Sequence, residues 1–202
     1  MIRTNPWCGS HIWTGQLGYA RDIPVSGRSK FFKPTFRVPL PRYVHALSDI
    51  RVSSVACGAN YTIVVSQEAG KVFGFGDNSF GQLGFAPQDN NESEHISELP
   101  HEIVGLSGKG IQKVACGEEH CAAVDGNGAL FTWGRCSEGQ LGHGALAPDL
   151  KYCPKPTQVD NLPPIDNVFC GGFHTFALEL QSKRARSTVE TNKIKARKRV
   201  KA

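Results

Sequence analysis

Short apolar runs separated by glycine-containing turns fill residues 111–142. The runs at 114–116, 120–124 and 129–133 have the length of strands, and the polar stretch 125–128 carries hairpin-turn signals. This pattern predicts strand, turn, strand, turn, strand. Along the first two runs, small or apolar side chains occupy both alternating sets of positions, which is typical of strands buried on both faces between neighbouring sheets.

The same pattern recurs along the chain. The pairs Cys57-Gly58, Cys116-Gly117 and Cys170-Gly171 lie 59 and 54 residues apart. Three further features keep register with these pairs: an aromatic or histidine slot at Tyr61, His120 and His174, an aromatic-glycine pair at Phe75-Gly76 and Trp133-Gly134, and the tetrapeptide GQLG at 81–84 and 139–142. A further GQLG stands at 15–18, without a clear Cys-Gly strand before it. A period of this size that holds several short strands is the signature of a β-propeller blade, so we predict an all-β propeller.

These motifs resemble the repeats of the regulator of chromosome condensation (RCC1) family over roughly residues 7–180. Members of that family form seven-bladed propellers, so the resemblance implies a propeller here, and about three to three and a half repeats imply a partial, open one. The expected organisation is a partial first blade at 1–49, repeats at 50–110 and 111–163, an incomplete repeat at 164–181, and a basic disordered tail at 182–202. The polar stretch 85–100 is expected to be a surface loop and a candidate contact surface.

So few repeats cannot close even the ~4 blades of the smallest propeller. The terminal units should therefore expose apolar faces and free strand edges, which tend to find partners. We expect either that the chain is a product of a longer propeller gene or that two copies complete one another by self-association through the open edges.

The turns that follow each Cys-Gly pair are the candidate partner-binding loops. Their residues are Asn60, Tyr61, Glu118, Glu119, His120, Phe173 and His174. In the founding member of the family, acidic and histidine side chains on such loops bind a small GTPase and promote nucleotide release. The resemblance therefore implies Glu119, His120 and His174 as the exchange residues if this chain is an exchange factor.

Several departures from that pattern favour a different role. Asn60 and Phe173 stand where an acid is expected, Tyr61 replaces a histidine, and no added hairpin is present to reach a nucleotide. We therefore favour a non-enzymatic protein-interaction and regulatory module, with a guanine-nucleotide exchange factor, associated with chromatin, as the alternative. A structural role, in which His120 and His174 hydrogen-bond neighbouring backbone to lock the blades, also stays open.

Photoreception is disfavoured by the same loops. The plant ultraviolet-B photoreceptor branch of the family places Trp and Arg before this histidine, whereas the corresponding segments here are GANYT, GEEHC and GGFHT.

Composition excludes several further classes of function. No run approaches the ~20 apolar residues of a membrane helix, and the N-terminus lacks the apolar core of a signal peptide, so we predict a nuclear or cytoplasmic protein that is not secreted and has no membrane partner. The seven cysteines include no C-x-x-C pair, and those that recur before glycine are expected to be small buried thiols. No metal site, cofactor, catalytic triad or phosphate loop is predicted.

The positive net charge of +5 comes from the end of the chain. Residues 181–202 hold nine Lys/Arg and one Glu, whereas the preceding 180 residues hold 14 Lys/Arg and 17 Asp/Glu. The basic residues of interest are Lys183, Arg184, Arg186, Lys195, Arg197, Lys198 and Arg199. Their spacing resembles a two-part nuclear import signal, and the same charges can contact phosphate, so an import receptor or a nucleic acid is the expected partner of the tail.

Overall fold

The computed structural model describes residues 7–8, 16–18, 42–87, 95–144 and 150–180. Their regular structure consists of antiparallel strands with short 3-10 turns, and this part of the chain contains no α-helix. The strands are β1 (Trp7–Cys8), β2 (Arg42–Tyr43), β3 (Ser54–Cys57), β4 (Tyr61–Ser66), β5 (Lys71–Asp77), β6 (Ile96–Glu102), β7 (Ile111–Cys116), β8 (His120–Asp125), β9 (Leu130–Arg135), β10 (Tyr152–Gln158), β11 (Ile165–Cys170) and β12 (Thr175–Glu179). The prediction of an all-β fold is confirmed.

Consecutive strands pair with one another to form blade-like sheets. Strands β3–β6 form one four-stranded antiparallel meander, here called blade I, and β7–β10 form a second, blade II. Strands β11 and β12 form a two-stranded sheet, the terminal hairpin, and β1 and β2 form another, the N-terminal pair. The predicted basic tail and most of the predicted partial first blade lie outside the described residues.

Strand β4 separates two apolar cores. Ile63 and Val65 on one face belong to the core between the two blades, whereas Val64 on the other face packs with Val44 and Leu47 near the N-terminal pair. Side chains alternate across a strand, so a strand in this position needs apolar residues at every position. Fully burying one such Ile or Val contributes ~1.5–3 kcal/mol.

Strand β8 occupies the same place in blade II. Its Cys121 and Ala123 face blade I, and its Ala122 and Val124 face the terminal hairpin. The prediction of burial on both faces is therefore confirmed for β8. It is wrong for the preceding strand, β7, which is mostly half-buried because it lies at the edge of its sheet and pairs only with β8.

The position of β7 also corrects the expectation for the recurring thiols. Cys57, Cys116 and Cys170 end the edge strands β3, β7 and β11. Cys57 is exposed and the other two are half-buried. The prediction of small buried thiols is therefore wrong for Cys57, because an edge strand has a neighbouring strand on one side only.

The outer strand of blade I begins inside the stretch that was expected to be a loop. Strand β6 starts at Ile96 and pairs with β5, with a register shift between Gly74 and Gly76. Pro100 is accommodated because β6 is an edge strand, where a missing N–H removes no ladder hydrogen bond on the open side. The predicted loop is thus shorter than 85–100.

The terminal hairpin leaves one of its faces uncovered. Phe169, Phe176 and Leu178 are 52%, 64% and 50% exposed, and among the described residues no third strand pairs with β12. The sheets therefore do not close into a ring, which is the open arrangement predicted from the repeat count.

Candidate functional site

The turns after the three Cys-Gly pairs lie side by side. The Ala59 amide donates to the carbonyl oxygen of Glu118 at 3.3 Å, and the Glu118 amide donates to that of Gly172 at 3.2 Å. Residues 58–60, 117–119 and 171–173 therefore form one continuous surface, which we call the loop face. These three segments are far apart in sequence. They lie side by side because the first strand of each repeat ends at the same position of the blade.

Tyr61 points away from the loop face into the junction between the blades. Its hydroxyl donates to the backbone oxygen of His120 at 2.6 Å and lies 3.1 Å from that of Gly117. The Cys121 thiol in turn lies 3.3 Å from the Tyr61 hydroxyl oxygen. Tyr61 is 1% exposed, and this burial raises the pKa of its hydroxyl. Tyr61 therefore joins blade I to blade II.

His120 joins blade II to the terminal hairpin in the same way. Its Nε2 lies 3.0 Å from the hydroxyl oxygen of Thr175, and that hydroxyl donates to the carbonyl oxygen of Gln140 at 2.9 Å. Because the only hydroxyl proton of Thr175 is thus committed, Nε2 carries the proton and donates it. Burial lowers the pKa of His120 to about 4, so the ring is neutral at pH 7.

The loop residues named from the sequence therefore divide into two groups. Tyr61 and His120 are buried in the junctions, so their side chains do not lie on the surface where a partner would contact them. His174 occupies the corresponding slot of the terminal hairpin but is exposed, with its ring edge-on to Phe176 at 5.8 Å. Asn60, Glu118 and Phe173 are also exposed, and Glu119 is half-buried.

The glycines of the aromatic-glycine pairs lie close against the backbone of the loop face. Gly134 has φ +100°, and a Cβ on it would lie 2.6 Å from the Glu119 carbonyl oxygen. Gly76 has φ +113°, and its Cβ would lie 2.5 Å from the Asn60 carbonyl oxygen. Only glycine combines this left-handed backbone with so close an approach. The recurrence of the pair along the sequence thus reflects a backbone contact at each loop.

The GQLG corners supply a repeated acceptor to the following unit. The Gln16, Gln82 and Gln140 carbonyl oxygens accept, respectively, from the Thr62 hydroxyl at 3.0 Å, the Cys121 thiol at 3.4 Å and the Thr175 hydroxyl at 2.9 Å. Each donor is the residue after Tyr61, His120 or His174. The corner at residues 16–18 therefore contacts blade I as the later corners contact the units that follow them.

Arg135 crosses the loop face and was not found from the sequence. Its Nη1 donates to the Glu119 carboxylate at 2.7 Å, an ion pair that raises the pKa of the guanidinium. The guanidinium also lies over the rings of Phe80 and Phe173, 5.2 and 5.6 Å from their centroids. Arg135 thus contacts blade I, blade II and the terminal hairpin. A signal was present, because Arg135 follows the aromatic-glycine pair at the slot that Asp77 fills in blade I.

Glu118, Glu119 and Glu138 all act on the charge of Arg135, so this cation has an acidic surrounding. Across the described ranges, no three His, Cys, Asp or Glu side chains are grouped to hold a metal ion. The same ranges contain no helix long and apolar enough to cross a membrane.

Comparison with known proteins agrees with the repeat geometry. A sequence profile described as the regulator of chromosome condensation (RCC1) repeat matches residues 69–124 and 127–178, and a second profile of the same description matches 52–82 and 111–140. The chain belongs to the RCC1 repeat family. The resemblance inferred from the Cys-Gly, aromatic-glycine and GQLG motifs is confirmed.

Several relatives carry RCC1-like sequence within much longer chains. The chain is 35% identical over 144 residues to human probable E3 ubiquitin-protein ligase HERC6, covering 71% of this chain and 13% of that protein. It is 36% identical to the Arabidopsis thaliana ultraviolet-B receptor UVR8, covering 69% and 30%, and 32% identical to human protein RCC2, covering 88% and 34%. The chain therefore spans about a third or less of these relatives.

Solved structures share the propeller fold. The chain superposes on Prp20p from Saccharomyces cerevisiae with a TM-score of 0.65 and 20% identity, covering 89% of this chain and 41% of that one. It superposes on yeast RCC1 (Prp20) bound to Kap60 with a TM-score of 0.59 and 22% identity, covering 69% and 32%. The prediction of an RCC1-type partial propeller is confirmed.

Proposed function

We propose that this chain is a protein-interaction and regulatory module whose loop face binds a protein partner. The observation that carries the proposal is Arg135, held between Phe80 and Phe173 on a surface to which three repeats contribute. Arginine and aromatic side chains are enriched at the centres of protein interfaces and dominate their binding energies. The Glu119 ion pair fixes the guanidinium in place before binding, which reduces the entropy lost on association.

The charges around Arg135 indicate the chemistry of the partner. Glu118 and Glu138 are exposed beside the guanidinium, so the rim of the surface is acidic while its centre is aromatic. A complementary partner presents basic side chains around an apolar patch. Rim charges act mainly on the association rate, so the association rate should fall as salt rises.

Relatives support a protein partner as well. Yeast RCC1 (Prp20) was solved bound to Kap60, and Prp20p was characterised for its binding to Gsp1p and histones. The family resemblance also makes a small GTPase one candidate partner for this chain, and exchange activity on it is the alternative function. The chain lacks the Trp of the ultraviolet-B receptor branch before His120 and His174, where Glu119 and Phe173 stand, so light sensing is not proposed.

The test compares partner capture by loop-face variants. Tagged wild type, Arg135→Ala and Phe173→Ala are used to capture proteins from cell extract, and captured proteins are quantified by mass spectrometry. Proteins that lose at least about tenfold in both variants are the specific partners, because a hot-spot truncation costs about 2 kcal/mol or more. Arg51→Ala is the matched control, since Arg51 is an exposed arginine paired with Glu68 away from the loop face. Equal capture by all four proteins would contradict the proposal.

We also propose that the basic tail directs the protein to the nucleus or binds polyanions. Residues 181–202 lie outside the described part of the chain, and the proposal rests on their nine Lys/Arg. Deleting residues 182–202 should move a tagged protein from nucleus to cytoplasm, or should lower the salt concentration at which it elutes from heparin. Unchanged distribution together with unchanged elution would contradict a role for the tail.

A further inference from the structure

Two thiols face each other at the base of residues 117–119, the central segment of the loop face. Cys116 ends β7 and pairs directly with Cys121 of β8, and their sulfur atoms lie 4.0 Å apart. The Gly117 amide donates to the carbonyl oxygen of His120 at 2.8 Å, so these two residues form a hydrogen-bonded pair. Because the two kinds of pair alternate along an antiparallel ladder, Cys116 and Cys121 form a non-hydrogen-bonded pair.

The geometry of such a pair suits a disulfide. In a non-hydrogen-bonded pair the Cα atoms are about 4.5 Å apart and the side chains are close, which is within the range of separations that a disulfide spans. Both sulfur atoms lie on the same face of the sheet, in the junction with blade I. Small rotations about the two Cα–Cβ bonds bring the sulfur atoms from 4.0 Å into bonding distance.

The pair of thiols distinguishes blade II from the neighbouring repeats. The residue opposite Cys57 is Thr62, and the residue opposite Cys170 is Thr175. Both threonines donate their hydroxyl to a carbonyl oxygen of the adjacent GQLG corner, as the Cys121 thiol does. A hydroxyl therefore serves the packing at this slot in the other units, and the second thiol of blade II adds a chemistry that the packing does not need.

The surroundings of Cys121 accommodate the oxidised form. Its thiol lies 3.4 Å from the Gln82 carbonyl oxygen and 3.3 Å from the Tyr61 hydroxyl oxygen. A disulfide has no S–H, but the Gln82 carbonyl oxygen still accepts from Trp133 Nε1 at 2.8 Å. The Tyr61 hydroxyl still donates to the backbone oxygen of His120. Oxidation therefore leaves neither buried group without a partner.

We propose that Cys116 and Cys121 are a redox site, which hydrogen peroxide converts from two thiols into a disulfide that fixes the central segment of the loop face. The bond joins the two residues that flank residues 117–120, so it limits how far β7 and β8 can separate below Glu118 and Glu119. A dithiol reductant restores both thiols by thiol–disulfide exchange.

The two sulfur atoms take different parts in the reaction. Cys116 is half-buried at the end of an edge strand, whereas Cys121 is 1% exposed and burial raises the pKa of its thiol. The Cys116 thiolate therefore attacks the peroxide. An S–O bond forms, the O–O bond breaks, and the hydroxide that leaves takes up the proton that the thiol had released.

The second step joins the two sulfur atoms. The Cys121 sulfur attacks the sulfur of the Cys116 sulfenic acid, so that the S–S bond forms and the S–O bond breaks. The departing hydroxide takes the proton of the Cys121 thiol and leaves as a second water. In sum, the two thiols lose two electrons, and one molecule of hydrogen peroxide gains them.

Peptide mapping of the full chain tests the bond. Trypsin cleaves after Lys113 and Arg135, and the peptide 114–135 contains Cys116 and Cys121 and no other cysteine. After treatment with hydrogen peroxide and alkylation of the remaining thiols, this peptide should be unalkylated and about 2 Da lighter than its reduced form. A dithiol added before alkylation should restore both alkylated cysteines. A fully alkylated peptide after peroxide, or a bond from Cys116 to Cys170 that joins two peptides, would overturn the proposal.

Two variants test the roles of the paired positions. Cys121→Thr supplies the residue that the other repeats carry at this slot, so it should keep the fold. Its Cys116 sulfenic acid, left without a second thiol, should be trapped by dimedone several-fold more than in wild type. Equal trapping in the two proteins would show that Cys121 does not take the second step.

Thr62→Cys is the matched positive control. It places a thiol opposite Cys57 in the same kind of pair in blade I, where the Gly58 amide donates to the Tyr61 carbonyl oxygen at 2.9 Å. Its tryptic peptide 52–71 should also become about 2 Da lighter after peroxide. A disulfide in that peptide together with free thiols in peptide 114–135 would contradict a redox site in blade II.

Hydrogen exchange tests the effect of the bond on the loop face. The amides of residues 117–120 should exchange several-fold more slowly in the oxidised than in the reduced protein, because the bond restricts local opening of the hairpin. Peroxide-treated Cys121→Thr is the control and should show no such slowing. Equal exchange rates in oxidised and reduced wild type would overturn the role of the bond in fixing the loop face.

Discussion

The hydroxyl of Tyr61 donates to the backbone oxygen of His120 across 2.6 Å, and this bond ties one RCC1 repeat to the next. Tyr61→Phe keeps the ring in the core but removes the donor. A net hydrogen bond contributes about 1 kcal/mol, so the free energy of unfolding should fall by about that amount in urea denaturation. Tyr152→Phe is the control, because no hydrogen bond of its hydroxyl is found among the described residues, and it should change stability by less than about 0.5 kcal/mol.

Stability should depend on the protonation of His120. In the unfolded chain its pKa is near 6.5, whereas burial lowers the folded value to about 4. Between these values the unfolded state binds more protons, so the free energy of unfolding falls as the pH falls from 6.5 to 4. The loss attributable to His120 is at most about 3 kcal/mol.

The measurement for this pH dependence is a series of denaturation midpoints from pH 7 to pH 4. Carboxylates contribute to the same curve, so the relevant quantity is the difference between wild type and His120→Gln. The variant should be less stable at pH 7 and should lose less stability on acidification. Parallel curves for the two proteins would show that His120 titrates normally in the folded state.

Features that depend on spacing within one repeat were predictable from the sequence. The burial of β8 on both faces could be predicted because small or apolar side chains occupy both alternating sets of positions in residues 120–124. The glycines that contact the loop face could be found because the aromatic-glycine pair recurs. The adjacency of the three loops follows from the register of the Cys-Gly pairs. Each of these features is local and is repeated, so one chain supplies several independent observations of it.

Features that depend on the direction of a side chain or on a neighbouring repeat were not predictable. A blade-locking role through neighbouring backbone was one interpretation of His120 and His174; His120 does join two units, but through the Thr175 hydroxyl, and His174 is exposed. The inward direction of Tyr61 depends on the packing of the next unit. Arg135 meets Phe80 and Phe173 from two other repeats, at positions where the repeats differ in sequence. Strand β6 is polar and contains Pro100, so its sequence shows no apolar alternation. Its pairing with β5 could therefore not be predicted.

Gly134 should tolerate no side chain. A Cβ would lie 2.6 Å from the Glu119 carbonyl oxygen and 2.8 Å from the His120 Cα at φ +100°, so Gly134→Ala forces the loop to move and strains the backbone. We expect a loss of about 2–4 kcal/mol in thermal or chemical unfolding.

Substitution of Gly139 separates the steric contact from the backbone strain. It has φ +75° with nothing within 4 Å of its Cβ position, so Gly139→Ala carries only the backbone strain, about 1–2 kcal/mol. Equal losses at the two glycines would mean that the contact with Glu119 and His120 contributes little.

Exchange activity on a small GTPase should be weak or absent. Of the three residues that the family resemblance implies for exchange, His120 is fully buried, the Glu119 carboxylate is bound by Arg135 at 2.7 Å, and only His174 is exposed. A residue that expels a nucleotide must place charge against its phosphate or metal, and neither Glu119 nor His120 is free to do so without breaking an existing contact. Release of fluorescent GDP from a nuclear small GTPase should therefore proceed at its intrinsic rate in the presence of this protein.

Asn60→Ala serves as the control in this exchange assay, since Asn60 is a loop-face residue that carries no charge. Strong acceleration that disappears in Glu119→Ala and persists in Asn60→Ala would contradict this expectation, because it would require Glu119 to leave Arg135 and act on the nucleotide site.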